Sequence, residues 1–233
     1  MPVRQSLRFD MLGKRQVIKM ERKSHFSRVE HALVHERAPS AALQSFSRQA
    51  WFARPPFSVL LAQKRTPQSP DHHPEGNVWN HTLLVVDEAA KRRNASEDAR
   101  AFMWAALLHD IGKPRATKLR NGRITAYDHD RIGQKLAADF LRALGQDEAF
   151  IRRTTALVRY HMHLLYVVKG LPFADVDGMR RETDLSELTL LGYCDRMGRA
   201  GADPVREREA VRLFLEACGV RNMPAWLTQE DAP

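Results

Sequence analysis

The run Ala105-Ala106-Leu107-Leu108-His109-Asp110-Ile111-Gly112-Lys113-Pro114 joins a strongly apolar segment to an adjacent imidazole and carboxylate. Apolar residues before this pair recur at helical spacing, which predicts an amphipathic helix with one buried face. They are Ala99, Phe102, Met103, Ala106 and Leu107. Gly112 and Pro114 then end the helix. His109 and Asp110 are therefore expected at the inner end of a packed helix, where they offer two ligands to one metal cluster.

The rest of the chain also shows helical rather than strand periodicity. Further helices are predicted over residues 78–92, 130–144, 147–161, 185–197 and 205–218. Asn94 or Ser96 is expected to cap the helix that leads to His109. Residues 169–184 are predicted to be irregular, and residues 123–127 form either a brief extended piece or simply a turn after Asn121-Gly122. Because long alternating segments are missing, the predicted fold class is all-α, a helical bundle.

Composition narrows the class of protein. The 233 residues contain 43% hydrophobic residues and carry a formal net charge of +9, which points to an anionic partner, either a phosphorylated small molecule or nucleic acid. We find no interleaved aromatic and basic platform of the single-strand-binding type. No run is long enough to span a membrane, and the two cysteines share no short motif, so we expect a cytoplasmic protein without membrane association.

The chain is predicted to divide near residue 40. Residues 1–40 are basic and poorly patterned, and we expect a loosely ordered arm, either without regular structure or with a short helix. Residues 41–233 are predicted to form the helical domain.

Six candidate metal ligands come from five successive segments of this domain. His81, His161 and Asp195 share the buried stripes of their helices, and His129 directly precedes another helix. Singly, His81 is also explained as a hydrogen-bonded core histidine, Asp195 as the partner of a buried arginine, and His129 as a capping residue. Together they favour a shared centre, because buried carboxylates and imidazoles need partners. The full set is His81, His109, Asp110, His129, His161 and Asp195.

Mixed imidazole and carboxylate ligands suit divalent ions. We expect two ions per chain, drawn from Mn²⁺, Fe²⁺, Co²⁺, Ni²⁺, Zn²⁺ and Mg²⁺. Asp110, beside a ligand histidine, is well placed to bridge them and to hold a hydroxide that attacks phosphorus in an in-line displacement.

The order of these ligands resembles that of the HD-domain metal-dependent phosphohydrolase superfamily, whose central motif matches His109-Asp110-Ile111-Gly112-Lys113. The run His73-Pro74-Glu75-Gly76-Asn77-Val78-Trp79-Asn80-His81-Thr82 resembles the opening of the HD domain in bacterial CCA-adding enzymes, the tRNA nucleotidyltransferases. Tyr127-Asp128-His129-Asp130 and Asp195-Arg196-Met197-Gly198-Arg199 extend the likeness. The resemblance covers about residues 66–216 and implies an HD-domain helical bundle.

The resemblance also implies roles for individual residues. His81, His109, Asp110 and Asp195 match the core metal ligands, and His129 and His161 match the histidines that hold a second metal. Lys113 matches a lysine that faces substrate phosphate, or else it is an ordinary solvated lysine. Arg196, directly after Asp195, and Arg199, one turn beyond it, are either further phosphate-binding residues or helix-surface charges. His163 is a weaker candidate for a residue that supports a metal ligand. His72 and His73 lie in a loop and are expected only to flank the entrance to the site.

Three functions follow as alternatives. The first is a metal-dependent phosphohydrolase in which Asp110 and Lys113 are catalytic and the substrate is a nucleotide, a cyclic phosphate or an RNA-terminal phosphoester. The second is a tRNA- or RNA-binding HD module without turnover, and the third is a nucleotide sensor. Nucleotide addition requires a Gly-Ser motif followed by a strand with paired carboxylates ahead of the HD region. Neither feature is found there, and Asp175-Val176-Asp177, which has the carboxylate spacing, lies downstream in a loop rich in Gly and Pro. We therefore do not expect nucleotide addition.

Overall fold

The structure is a computed structural model that describes the backbone of residues 3–228 and the side chains of residues 16–228. Its helices are α1 Val3–His35, α2 Pro39–Phe46, α3 Ser58–Leu61, α4 Val78–Arg92, α5 Ala99–Leu108, α6 Lys113–Ala116, α7 His129–Ala143, α8 Glu148–Tyr160, α9 His163–Val168, α10 Val176–Glu182, α11 Leu185–Met197, α12 Pro204–Ala217 and α13 Ala225–Thr228. Strands β1 Lys118–Arg120 and β2 Arg123–Thr125 form one antiparallel hairpin. This architecture confirms the all-α prediction.

Helix α5 lies at the centre of the bundle and packs against α1, α4, α8 and α11. Every residue from 101 to 108 is buried, so the prediction of a single buried face is wrong. The physical reason lies in the sequence itself, because an uncharged segment with large apolar residues on all sides is stable only when neighbours surround it. The central position fixes His109 and Asp110 inside the protein.

The N-terminal segment is ordered where its side chains are described. Phe26, Val29 and Leu33 of α1 are buried in the core, and the ring of Phe26 stacks on Trp104 of α5 with centroids 4.8 Å apart. The prediction of a loosely ordered arm is therefore wrong over residues 16–35. Apolar residues at i, i+3 and i+7 near the end of this segment form a stripe that packs on α5. The side chains of residues 1–15 lie outside the described part. The predicted domain boundary at residue 40 stays a prediction.

Two local predictions are corrected by capping interactions. Asp98, not Asn94 or Ser96, caps α5, because its carboxylate accepts the backbone N–H of Ala101 at 3.0 Å. Helix α10 occupies part of the segment predicted to be irregular, where the side chain of Asp175 caps it by accepting the N–H of Gly178. In both cases an aspartate caps the N-terminus of a helix within a polar segment.

The turn after the central helix depends on a close backbone contact. A Cβ atom placed on Gly112 would lie 2.0 Å from the carbonyl oxygen of His129 and 2.7 Å from the amide nitrogen of Gly133. Only glycine therefore allows the residues after α5 to approach the first turn of α7. This contact brings the His109–Asp110 pair to the end of α7 that carries His129.

None of the helices searched among the described residues combines the length and apolar character that a membrane crossing requires.

Candidate metal centre

The six predicted ligands all lie in the interior. His81 is on α4, His109 and Asp110 follow α5, His129 opens α7, His161 follows α8, and Asp195 is on α11. Each has a relative exposure of 6% or less. Five segments distant in sequence thus direct imidazole and carboxylate groups to one region.

The first group of side chains surrounds His109. Nε2 of His81 lies 2.8 Å from Oδ1 of Asp195. Nε2 of His109 lies 3.3 Å from Oδ2 of Asp110 and 3.9 Å from Oδ1 of Asp195. Two ligand atoms on one ion, each at about 2.1 Å, are separated by about 3 Å or slightly more. The spacing in this group therefore suits ligation of one divalent ion.

The second group shares Asp110 with the first. Oδ1 of Asp110 lies 3.4 Å from Nε2 of His129 and 3.7 Å from Nε2 of His161, and the two imidazole nitrogens are 3.2 Å apart. Each carboxylate oxygen of Asp110 thus faces a different set of histidines. This is the arrangement required of a carboxylate that bridges two ions.

Backbone carbonyl groups fix the orientation of three of these imidazole rings. Nδ1 of His109 is 2.8 Å from the oxygen of Ala106, and Nδ1 of His129 and of His161 are each 2.7 Å from the oxygens of Ala126 and Val158. A carbonyl oxygen only accepts hydrogen bonds, so each Nδ1 carries a proton. Each Nε2 then presents a lone pair to the centre, as a metal-ligating histidine does.

The contact between His129 and His161 tests most directly whether the site suits a metal ion. When both Nδ1 atoms carry protons, the facing Nε2 atoms present two lone pairs to each other at 3.2 Å. Protonation of one ring would relieve the repulsion. Burial, however, lowers the pKa of His129, and burial together with the positive charges of the neighbouring histidines lowers that of His161 to about 4. A divalent cation near both nitrogens satisfies them together.

The carboxylates at the centre are held in the charged form. Burial acts to raise the pKa of Asp110, but the positive charge of Lys113 and interactions with His109 outweigh it and hold the pKa well below its usual value. For Asp195, burial also acts to raise the pKa, and the hydrogen bond with His81 and the charge of Arg199 outweigh it. Ionised carboxylates and neutral imidazoles are the forms that ligate metals.

Several polar atoms at this centre lack hydrogen bonds to the described part of the chain. Nε2 of His109 and Oδ1 of Asp110 are buried without a hydrogen-bond partner there. Native proteins rarely leave such groups unsatisfied, because each costs about 1–3 kcal/mol or more. Together with the distances, this shows that the donor set fits divalent metal ions.

Glu75 is a functional candidate that the sequence analysis missed. Its Oε1 lies 2.9 Å from Nδ1 of His81 and 2.8 Å from Nδ1 of His73, whose ring packs edge-on against that of His81. Burial acts to raise the pKa of Glu75, but the hydrogen bonds from both histidines outweigh it and leave the pKa strongly lowered. A carboxylate on the Nδ1 side of a ligand histidine orients the ring and increases its basicity. The available signal was the position of Glu75 directly before the helix that carries His81.

The cationic candidates differ in their contacts. Nζ of Lys113 lies 2.7 Å from Oδ2 of Asp110 and donates to Oε1 of Gln68 at 2.6 Å. Nη2 of Arg199 lies 3.7 Å from Oδ2 of Asp195. Arg196 instead pairs with Glu207 on α12. The structure thus brings Lys113 and Arg199 to the candidate ligands and places Arg196 in a contact between helices.

The remaining histidines are outside this group. His163 is fully buried, and its Nε2 accepts the backbone N–H of Asp175, so it contributes to the packing of the segment before α10. His72 is exposed, whereas His73 is half-buried against His81. The expectation that His73 only flanks the entrance is therefore incomplete.

The bundle and its buried ligands define a helical domain that could hold divalent metal ions. A model of the HD domain family matches residues 78–198, just over half of the chain, and this range includes all six candidate ligands. The chain therefore belongs to the HD domain family.

Its curated relatives include Multifunctional CCA proteins and an A-adding tRNA nucleotidyltransferase. The chain is 32% identical over 160 residues to a Multifunctional CCA protein of Halorhodospira halophila, covering 65% of this chain and 37% of the relative. It is 37% identical over 137 residues to an A-adding tRNA nucleotidyltransferase of Deinococcus radiodurans, covering 56% and 29%. A Multifunctional CCA protein of Methylococcus capsulatus is 30% identical over 187 residues, covering 78% and 37%. The chain therefore spans less than two fifths of the length of these relatives.

Proposed function

We propose that this chain is a metal-dependent phosphohydrolase that acts on a nucleotide, a cyclic phosphate or a phosphoester at the end of an RNA. The observation that carries the proposal is the division of six buried ligands into two groups that share Asp110. His81, His109, Asp110 and Asp195 would hold one ion, and Asp110, His129 and His161 the other. Two ions in such a site supply an activated water and neutralise charge on a phosphoryl group.

The protein side chains contribute orientation and charge. Asp110 would keep the two ions at a fixed separation, since its oxygens face the two histidine groups. Lys113 lies beside Asp110 and brings a positive charge to the side of the centre that Gln68 borders, where a substrate phosphate would be stabilised. Arg199 adds charge beside Asp195. Arg196 contributes to substrate binding in this proposal only if its pair with Glu207 opens.

The substrate class is argued from charge and from the relatives. A net charge of +9 favours anionic substrates, and relatives named for CCA and A addition to tRNA favour an RNA end over an unrelated phosphoester. The same observations support the alternative of an RNA-binding or nucleotide-sensing HD module without turnover. Measurement of hydrolysis separates these functions.

The test is a panel of substrates given to the purified chain with Mn²⁺ or Ni²⁺. The panel contains nucleoside monophosphates, 2′,3′-cyclic phosphates and short RNAs that end in a phosphate. We expect metal-dependent release of phosphate or opening of the cyclic ester, and its loss in the H109A/D110A double variant with the helical fold retained. Substitution Lys113→Ala is expected to lower the rate about 10²-fold without loss of metal. Tight metal-free RNA binding with no turnover on any substrate would favour the binding module instead.

A further inference from the structure

The β1–β2 hairpin carries a row of cations on one face. Lys118 lies opposite Thr125, and Arg120 lies opposite Arg123 in the antiparallel register. Opposite residues share a face, as do alternate residues along a strand, so Lys118, Arg120 and Arg123 lie on the same side of the hairpin. All three are exposed.

These cations lack a counter-charge in the part of the protein whose side chains are described. Among residues 16–228, no acidic side chain forms an ion pair with Lys118, Arg120 or Arg123. Like charges directly opposite each other on a hairpin are destabilising, which applies to Arg120 and Arg123. An anionic partner that spans the face would relieve this repulsion.

An aromatic ring borders the same face. The guanidinium carbon of Arg120 lies 5.4 Å from the centroid of the Tyr127 ring, and Tyr127 is 59% exposed. Surfaces that bind single-stranded nucleic acid combine cations for the phosphates with aromatic rings on which bases stack. The sequence does not show this combination as a local motif, because the hairpin turn is what brings Arg120 and Tyr127 together.

The hairpin is connected directly to the candidate metal centre. The chain enters it from α6, whose first residue is Lys113, and leaves it at Ala126, whose carbonyl oxygen accepts the Nδ1–H of His129 at 2.7 Å. Strands of three residues extend about 10 Å from their base. A chain bound along the cationic face could therefore continue from the hairpin toward the centre.

We infer that the β1–β2 hairpin is the docking surface for a single-stranded RNA segment whose end lies at the candidate metal centre. The inference rests on the proposed function and deepens it, because it names a polymeric RNA rather than a mononucleotide as the substrate class. An acidic protein segment would also pair with the cations, but it would make no use of a stacking ring at Tyr127. Single-stranded RNA uses both features.

The test compares two triple variants in binding to a fluorescent 12-nucleotide single-stranded RNA, measured by anisotropy over a range of salt concentrations. K118A/R120A/R123A removes three charges from the hairpin. K169A/R206A/R221A removes three exposed charges from elsewhere on the chain. We expect the hairpin variant to flatten the log–log salt slope by about two, because each phosphate that is no longer neutralised lowers the slope by about 0.7. The control variant should keep the wild-type slope, and so should an R120K/R123K variant.

Substitution Tyr127→Ala distinguishes RNA from other polyanions. It should weaken RNA binding about tenfold, because a stacking ring is removed, and leave binding of inorganic polyphosphate unchanged. The inference is overturned if the hairpin triple variant binds RNA with the wild-type slope, or if Tyr127→Ala has no effect and polyglutamate competes as well as RNA. Binding is measured in EDTA, so it is independent of hydrolysis. Intact RNA binding without metal-dependent turnover would refute the proposed hydrolase but not this surface.

Discussion

Nε2 of His81 lies 2.8 Å from Oδ1 of Asp195, and this contact joins residues 114 positions apart in the chain. Neither side chain reaches the other until α4 and α11 have packed against each other. The candidate centre therefore exists only in the folded bundle. A metal that binds the folded state but not the unfolded state adds its binding free energy to the free energy of unfolding.

Metal removal is expected to lower the thermal stability of the protein. At an ion concentration of 100 times Kd the gain is about 2.7 kcal/mol, which corresponds to about 5–10 °C in Tm for a chain of this size. The measurement is Tm by calorimetry after EDTA treatment and after addition of Mn²⁺. The H109A/D110A variant is the control and should show no shift. An equal shift in that variant would place the stabilising ion elsewhere.

The number of bound ions should fall by one when either of the two groups of candidate ligands loses a histidine. Substitution His129→Gln removes a ligand of the second group alone, so we expect two ions per chain to fall to one by elemental analysis. His81→Gln should remove the other ion. Asp110→Asn should weaken both, because the two oxygens of Asp110 face different groups. If Asp110→Asn lowered the content no more than His129→Gln did, the bridging role would be wrong.

Glu75 is expected to position His81 for metal binding. Substitution Glu75→Gln removes the charge beside Nδ1 of His81 and should weaken binding of the ion held by His81 about 10–100-fold. Asp71→Asn, at an exposed acid of the same loop, is the matched control and should leave metal affinity unchanged. Calorimetric titration with Mn²⁺ measures both variants. Equal losses in the two would indicate a general effect of loop charge.

The helical fold could be predicted because its signals are local. The helix Leu185–Met197 was predicted at both ends, since Asp184 caps it and apolar residues recur along it. A loop at Asn121-Gly122 was also predicted, and both residues adopt positive φ there, as a tight hairpin turn requires. Of the two alternatives for residues 123–127, the structure has the extended piece, strand β2. Helix α10 was missed, since Gly178 and Pro172 outweighed a capping aspartate in a segment of only seven helical residues.

The candidate ligands could be predicted for a different reason. Helical periodicity places a histidine or aspartate on a buried face, and a buried ionisable group requires a partner. Helical periodicity does not extend into loops, so it gave no indication of the role of Glu75. Helical periodicity also does not reveal which side chains form ion pairs. Phosphate binding was therefore one of the two roles proposed for Arg196, although its guanidinium pairs with Glu207. Such contacts depend on the packing of distant helices.

Gly112 is expected to be essential for the approach of the central helix to α7. In Gly112→Ala, the added Cβ would meet backbone atoms of His129 and Gly133, which cannot rotate away as a side chain would. We expect a loss of about 3 kcal/mol or more in the free energy of unfolding, measured with urea. Gly133→Ala is the matched control, because its Cβ would lie 3.3 Å from a Val158 methyl that can adjust. Equal losses would mean that the close approach carries no special cost.

Asp130 neighbours the candidate ligand His129, yet it is expected to act on stability rather than on metal binding. Its Oδ2 accepts from Nη1 of Arg159 at 2.6 Å, and the two side chains are only 6% and 8% exposed. Asp130→Asn leaves the guanidinium buried without a counter-charge and should cost about 3–5 kcal/mol, whereas D130L/R159M removes both charges and should cost much less. Asp139→Asn, at an exposed acid of the same helix, should change the free energy by less than about 0.5 kcal/mol. Urea unfolding measures all three, and elemental analysis should show unchanged metal content in the folded variants. A double variant as unstable as Asp130→Asn, or one that loses an ion, would show that Asp130 does more than neutralise Arg159.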